Sequence, residues 1–418
     1  MRDPFVSYRQ WRKKYGDTFL IQALNGDVVV TCNRENIRRI FASPGDAVSP
    51  FAVETSKPLV GGTSLFLIDG KQHQCERALL SPSFHGERIA GQAAIIEQVA
   101  KRVAERWEVD QTVRIMDSTL DVSLEVIIRV VFGVQSQDRI ELFKEKLTRF
   151  VSSFHPILAF TRMFQRPMLG LSPWNNFIKA RTDFHELLEA EIEARRTDSQ
   201  QSDLMSRLLN SKYEDGKPVS NEKIRDHLVT LLLAGHETTQ IAMAWSMSWL
   251  HRQPETLTRL RSQLQGCSTE QILSNEYLTG VCHESLRINS VLSDIVRTLK
   301  KPIKLEACEL PAGTNLGVAI CLVHEDPELY PDPFAFKPER WIGMTRKPNE
   351  FMPFGGGIRR CIGASLALLE MKITIATWVS KFEFSLPSDI PAEEPVYRRN
   401  ITMAPRTGIP LVFEGPRE

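Results

Sequence analysis

The sequence predicts a mainly α-helical fold with a smaller β region, and three observations carry that prediction. Five long segments place apolar residues at helical spacing, short β-branched or alternating stretches gather towards the two ends, and strand and helix never alternate regularly. The last point disfavours a doubly wound parallel sheet.

In chain order, an amphipathic helix is expected over Tyr8–Tyr15, followed by strands over Thr18–Leu24 and Asp27–Thr31. Helices are expected over Ile89–Trp107, Asp117–Phe132, Arg139–Ser152, Asn176–Arg196 and Ile224–His251, each with few breakers. Strands return at Val296–Leu305, Asn315–Ala319, Phe382–Leu386 and Ile409–Phe413, bounded by Pro, Gly and Asp. A last helix is expected from Ala364, through the apolar run to Ile375.

Length alone would suggest about three ordinary domains, but no Gly/Ser linker, low-complexity tract or internal repeat offers a cut, so residues 1–418 are expected to form one domain. Hydrophobic residues make up 42% and charged residues 25%, and 52 basic against 51 acidic residues leave a net charge of +1, which gives no reason to expect a nucleic-acid partner. The seven cysteines are odd in number and lack paired metal-ligand spacing, which suits a reducing, cytoplasmic setting. No run approaches the roughly 18 apolar residues of a transmembrane segment.

The chemistry concentrates in Phe354-Gly-Gly-Gly-Ile-Arg-Arg-Cys361-Ile-Gly363. A thiolate is the metal-binding form of cysteine, and nearby cations and a helix N-terminus favour it. Arg359 and Arg360 precede the sulfur, a helix follows it, and Gly355, Gly356, Gly357 and Gly363 are expected to take positive φ and let the backbone approach a flat group. A second signal, Ala234-Gly235-His236-Glu237-Thr238-Thr239, lies inside a helix, where Gly costs about 1 kcal/mol and Thr can bond back to the i−4 carbonyl. His236 and Glu237, about 100° apart on that helix, do not share a metal-facing side. A third is Glu284-Ser-Leu-Arg287, an acid and a base on one helix face.

Together these stretches resemble the cytochrome P-450 family, with Phe354, Gly357, Arg359, Cys361 and Gly363 at the positions of its cysteine loop. The resemblance implies a triangular single domain with heme b (iron protoporphyrin IX) buried between the oxygen-binding helix and the Cys-loop helix. It implies that Cys361 is the axial iron ligand, that Phe354 packs beside the sulfur, and that Arg359 pairs with a heme propionate. Ala234 and Gly235 would leave room for oxygen, Thr238 would hydrogen-bond it, and Glu237 would relay protons. Glu284 and Arg287 would form a buried structural network with Arg340 of Pro338-Glu-Arg-Trp341. His73 and Arg77, at i and i+4 in Gly70-Lys-Gln-His73-Gln-Cys-Glu-Arg77, and Arg297 would donate to the propionates; His73 resembles the soluble bacterial branch.

The implied reaction is monooxygenation of a hydrophobic small molecule such as a terpenoid, steroid, fatty acid or polyketide, by a monomer. Phe51, Leu233, Val291, Leu292, Asp294, Ile295 and Met403, with Phe160 of a further segment, would line the substrate pocket. The chain has no nicotinamide or flavin fingerprint and no iron–sulfur cysteine cluster, so electrons would come from a ferredoxin or flavodoxin with its NAD(P)H reductase. Arg359, Arg360 and Lys372 would offer that partner a basic surface. A heme-thiolate peroxygenase or isomerase, and a non-catalytic heme-binding sensor, are the competing classes.

Overall fold

The computed structural model describes residues 4–23, 26–84, 86, 89, 91–154, 158, 165, 172–197 and 203–417. The N-terminal part runs α1 (Pro4–Tyr15), β1 (Thr18–Ile21), β2 (Val28–Thr31), α2 (Arg34–Phe41), β3 (Val48–Pro50), α3 (Val53–Val60) and α4 (Gly70–Leu80). The helical body contains α5 (Ala93–Ala104), β4 (Thr112–Arg114), α6 (Ile115–Phe132), α7 (Gln137–Ser153), α8 (Pro173–Thr197), α9 (Leu204–Asn210) and α10 (Asn221–Arg252). It continues through α11 (Pro254–Leu264), α12 (Thr269–Ser274) and α13 (Glu276–Ile288). Then come β5 (Ile295–Leu299), β6 (Ile303–Lys304), β7 (Glu309–Leu310), β8 (Asn315–Val318), α14 (Ile320–His324), α15 (Ala364–Lys381), β9 (Phe382–Ser385), β10 (Val396–Arg399), β11 (Thr402–Pro405) and β12 (Pro410–Pro416).

Every helix expected from periodicity is present, with ends shifted by a few residues. The largest shift is at α15, which runs on to Lys381 beyond the expected apolar run to Ile375. The strand expected over Val296–Leu305 is two strands, because Lys300–Pro302 turns the chain from β5 into the separate β6–β7 pair. Leu24, the expected end of the first strand, lies outside the described residues.

Capping explains several boundaries. Asn33, Ser220 and Asn275 each accept a backbone N–H of the helix they precede, and Ser268 with Gln271 completes a capping box. α15 differs: Gly363 precedes it and gives no side-chain cap, so its first N–H groups stay available to the loop before it.

One sheet has the order β1-β2-β8-β5-β3, with β2 parallel to β8 and the other pairs antiparallel. A second has the order β4-β12-β9, and β10 pairs with β11 in a hairpin. Two apolar clusters result. The larger joins α4 to α15 through α6 and α10, and the smaller joins α1, the first sheet and Trp341. Phe354 packs against the larger and Ile358 against the smaller, so the cysteine loop straddles the two. The 32-residue α10 crosses α6 at Gly235, where an added Cβ would come 2.5 Å from Ile127 Cδ1. At Gly280 of α13 a Cβ would meet the Pro338 carbonyl at 2.5 Å. Both glycines are fixed by close packing.

α15 holds one buried acid. Glu370 is 3% exposed, has the Ser123 hydroxyl of α6 as its polar neighbour, and leaves Oε1 without a hydrogen-bond partner. Burial pushes its carboxyl up to about 8. In the unfolded chain a Glu ionises near 4.3, so between about pH 4 and pH 8 unfolding releases a proton, and stability falls as pH rises through that window. Glu370→Gln should therefore raise the urea midpoint at pH 8 while changing it little at pH 4. An equal shift at both pH values would contradict the buried neutral acid.

Candidate active site around Cys361

The cysteine loop closes on itself, since the Cys361 N–H donates to the Phe354 carbonyl at 2.9 Å and the Gly355 N–H to the Met352 carbonyl at 2.9 Å. Gly355 (φ +67°) and Gly357 (φ +65°) take the expected left-handed conformation, but Gly356 and Gly363 do not. Gly356 is extended, and a Cβ there would fall in the Phe41 ring. At Gly363 an added Cβ would meet no atom within 4 Å, so packing does not impose glycine there.

Cys361 is itself exposed, yet protein surrounds it closely enough that burial pushes its thiol up. Both hold together for a group facing an enclosed space. The Gly363 N–H, Arg360 and Arg77 act in the opposite direction and favour the anion. Arg359, expected to help, turns away and donates to the Ile68 carbonyl.

His73, Arg77, Arg297 and Arg359 converge from three separate parts of the chain. Arg297, 6% exposed, donates to the Gly356 carbonyl at 2.8 Å, and Arg77 donates to the Arg360 carbonyl at 2.7 Å. Burial and Arg359 hold the Arg297 guanidinium down at about 10; burial and then Arg77 hold Arg359 at about 10. Burial, then Arg359, Arg77 and Arg297, hold the His73 imidazole at about 4. Asp69 is the acid that opposes them at His73 and Arg359, and it is shared with Lys300 at 3.2 Å. The buried Arg359 Nε has no hydrogen-bond partner. Such a set of bases fits a dianionic ligand, because burial and neighbouring guanidinium groups disfavour their charged forms until carboxylates arrive.

The scaffold beneath is fully satisfied. Glu284 Oε1 accepts from Arg287 Nη2 (2.9 Å), Arg340 Nε (2.8 Å) and the Lys337 N–H (3.0 Å). Its Oε2 accepts from Arg287 Nε and Trp341 Nε1, each at 2.9 Å. The Glu284–Arg287–Arg340 network is as expected; the indole of Trp341 and the Lys337 amide are additions that spacing could not show. Arg287 also lies 4.9 Å from the Tyr330 ring centroid.

On α10, largely buried elsewhere, Leu233, Ala234, Gly235, Glu237 and Thr238 are partly accessible. Thr238 Oγ1 donates to the Ala234 carbonyl at 2.7 Å, the back-bond expected of a Thr within a helix. Gly235 departs from expectation: Ile127 fills the space beside it, so its small size serves helix packing. His236 is buried, with Nδ1 2.7 Å from the Leu232 carbonyl. Glu237 Oε1 lies 3.3 Å from Arg399 Nε and 3.2 Å from Thr402 Oγ1, both in the β10–β11 hairpin. Neither partner was visible in the sequence.

The expected pocket divides. Phe51, Leu233, Leu292 and Ile295 are partly accessible, but Val291 is 8% exposed and Met403 is fully buried, its N–H donating to the Val291 carbonyl at 2.8 Å. Asp294 accepts from Ser293 Oγ at 2.6 Å and from the buried Tyr8 hydroxyl, so its carboxylate ties α1 to the turn before β5. Phe160 lies outside the described residues. Of the expected basic surface, Arg360 alone is exposed; Arg359 points inward and Lys372 donates to the Leu273 carbonyl at 2.8 Å.

The family model for cytochrome P450 matches residues 1–411. Cytochrome P450 135B1 of Mycobacterium tuberculosis is 31% identical over 97% of this chain and 86% of its own, and cytochrome P450 135A1 of the same species is 32% identical over 97% and 91%. Among solved structures, the cytochrome P450DA heme domain superposes with a TM-score of 0.86 at 22% identity over 100% of this chain and 94% of its own. The retinoic acid-bound cyanobacterial CYP120A1 gives 0.84 at 21% over 97% and 93%. No helix among the described residues is long and apolar enough to cross a membrane.

Two outcomes follow from this geometry. Arg287→Leu leaves Glu284 short of two donors at a cost of roughly 3–5 kcal/mol, so the purified variant should carry little heme, whereas normal heme content would contradict the scaffold role. In the heme-free chain His73 should titrate near 4 by NMR, and a porphyrin dicarboxylate should raise that value. An unfolded His titrates near 6.5, so heme-free stability should fall as pH drops from about 6.5 to 4.

Proposed function

This chain belongs to the cytochrome P450 family of heme-thiolate monooxygenases, and from that premise we propose that Cys361 is the iron ligand of an enzyme that oxygenates a hydrophobic small molecule. The observation that carries the assignment is the pairing of an open yet enclosed thiol with four bases, none of which makes an ion pair among the described residues, Asp69 alone acting on two of them from a distance. When bound, heme b supplies oxygen activation: with two electrons and two protons, one atom of O2 enters the substrate and the other leaves as water.

The protein's own residues divide the remaining work. Arg77, Arg360 and the Gly363 N–H favour the sulfur anion, while His73, Arg77, Arg297 and Arg359 would hold the two carboxylates of the cofactor. Glu237 sits between Thr402 and the half-exposed Arg399, a position from which it exchanges protons with solvent and passes them inward. Thr238 donates to the Ala234 carbonyl at rest, and rotation of its hydroxyl would present the proton to the distal side. Phe51, Leu233, Leu292 and Ile295 offer apolar surface to a substrate of the terpenoid, steroid, fatty-acid or polyketide kind. A ferredoxin or flavodoxin with its NAD(P)H reductase delivers the electrons, with Arg360 the exposed base beside the thiolate loop.

Cys361→Ala should abolish the red-shifted carbon-monoxide band of the reduced protein. Retention of that band would refute the ligand assignment. Glu237→Gln should slow product formation by about 10²-fold or more and divert reducing equivalents to peroxide, measured as product per NAD(P)H with a surrogate redox pair. A substrate library screened by the heme spin-state shift identifies the substrate class. Efficient peroxide-driven turnover that needs no redox partner would replace the monooxygenase reading with a peroxygenase, and no substrate-dependent oxygen consumption would replace it with a carrier.

A further inference from the structure

His324, at the end of α14, is buried completely, and each of its polar groups has a defined partner. Its carbonyl accepts from Arg287 Nη1 at 2.7 Å. Its Nε2 lies 3.0 Å from the Met352 N–H, and its Nδ1 lies 2.8 Å from Ser290 Oγ. A backbone N–H is an obligatory donor, so Nε2 must be the acceptor and the ring proton must sit on Nδ1. Nδ1 then donates to Ser290 Oγ, whose own hydrogen goes to the Leu286 or Arg287 carbonyl, each 3.3 Å away. The donor–acceptor account closes with the ring neutral and in one tautomer. Burial and the Arg287 guanidinium favour that same state, holding the imidazole down at about 3.

The two ends of this chain of bonds belong to different functional parts. Arg287 belongs to the helix of the Glu284 network, and Ser290 lies just past the end of that helix. Met352 begins the cysteine loop, and its carbonyl in turn holds the Gly355 N–H at 2.9 Å. We propose that His324 is a positioning residue that transmits the fixed geometry of the Glu284–Arg287 pair to the loop carrying Cys361, through the Met352 amide. The role is separable from filling space, although the ring also packs against Phe351, with centroids 5.4 Å apart. The inference rests on the assignment of Cys361 as the heme ligand for its spectroscopic consequence, but not for the bond to Met352.

The two nitrogens allow a clean dissection in the heme-loaded protein. His324→Gln retains an acceptor near the Nε2 position, and His324→Asn retains a donor near Nδ1 but nothing that reaches Met352. His324→Phe retains the ring and neither bond. The readouts are hydrogen exchange at the Met352 amide and the fraction of reduced protein that shows the red-shifted carbon-monoxide band. The expected result is that Asn and Phe speed Met352 exchange by about tenfold or more relative to its neighbours and lose part of the red-shifted band, while Gln stays near the wild type in both. Ser290→Ala, a mild change used should the ring variants fail to fold, should also loosen the Met352 amide by leaving Nδ1–H without its acceptor and the ring freer to turn. Equal behaviour of Gln and Asn, wild-type protection in Phe, or an unaltered Met352 amide in Ser290→Ala would overturn the proposal. Loosened exchange with an intact red-shifted band in Asn would overturn the link to the sulfur, and absence of that band in the wild type would instead remove Cys361 as the ligand.

Discussion

Five hydrogen-bond donors converge on the Glu284 carboxylate, and the rest of the site takes its position from that point. Two guanidinium groups, an indole and a backbone amide leave neither oxygen free. Removing such charges from water costs several kcal/mol per ion, so the network is a poor source of net stability. Its effect is geometric: it fixes α13 against the segment Pro338–Trp341, and the chain has only ten residues from there to Met352, where the cysteine loop begins. A bidentate fork tolerates little rotation, and the precision of that fork is passed along a short length of chain.

The site itself shows the opposite arrangement of charge. Where Glu284 is over-provided with donors, Arg77, Arg297 and Arg359 end on backbone carbonyls and not on carboxylates, and together they hold down the protonation of His73. The contrast separates two uses of buried arginine. In the scaffold the counter-charge is part of the chain; in the proposed site it would arrive with the cofactor, and binding would relieve a repulsion already present in the fold.

Much of this was legible in the sequence because it is local. Helical periodicity located the long helices, and the spacing of Phe354, Gly357, Arg359, Cys361 and Gly363 marked the cysteine loop as the candidate site. The acid–base pair at Glu284 and Arg287 was visible because one helix face carries both. What could not be read depends on contacts between distant segments. Arg399 meets Glu237 across 162 positions, His324 meets Met352 across 28, and the Trp341 indole reaches Glu284 across 57. The direction of a side chain was equally hidden: Arg359 and Lys372 are bases beside the thiolate in sequence, yet both end on backbone carbonyls. At Gly235 the reason for the small residue was hidden, since only the crossing of α10 and α6 reveals that Ile127 takes the space.

The cysteine loop bridges two apolar bodies, with Phe354 packed on the larger and Ile358 on the smaller. A strap anchored at both sides of a seam behaves as a strain gauge. If the bodies slide against each other, whether on heating, under pressure or when a partner leans on one of them, the displacement is taken up between residues 354 and 358, three residues before the sulfur. The environment of the sulfur would then register motions of the whole molecule that leave both cores intact.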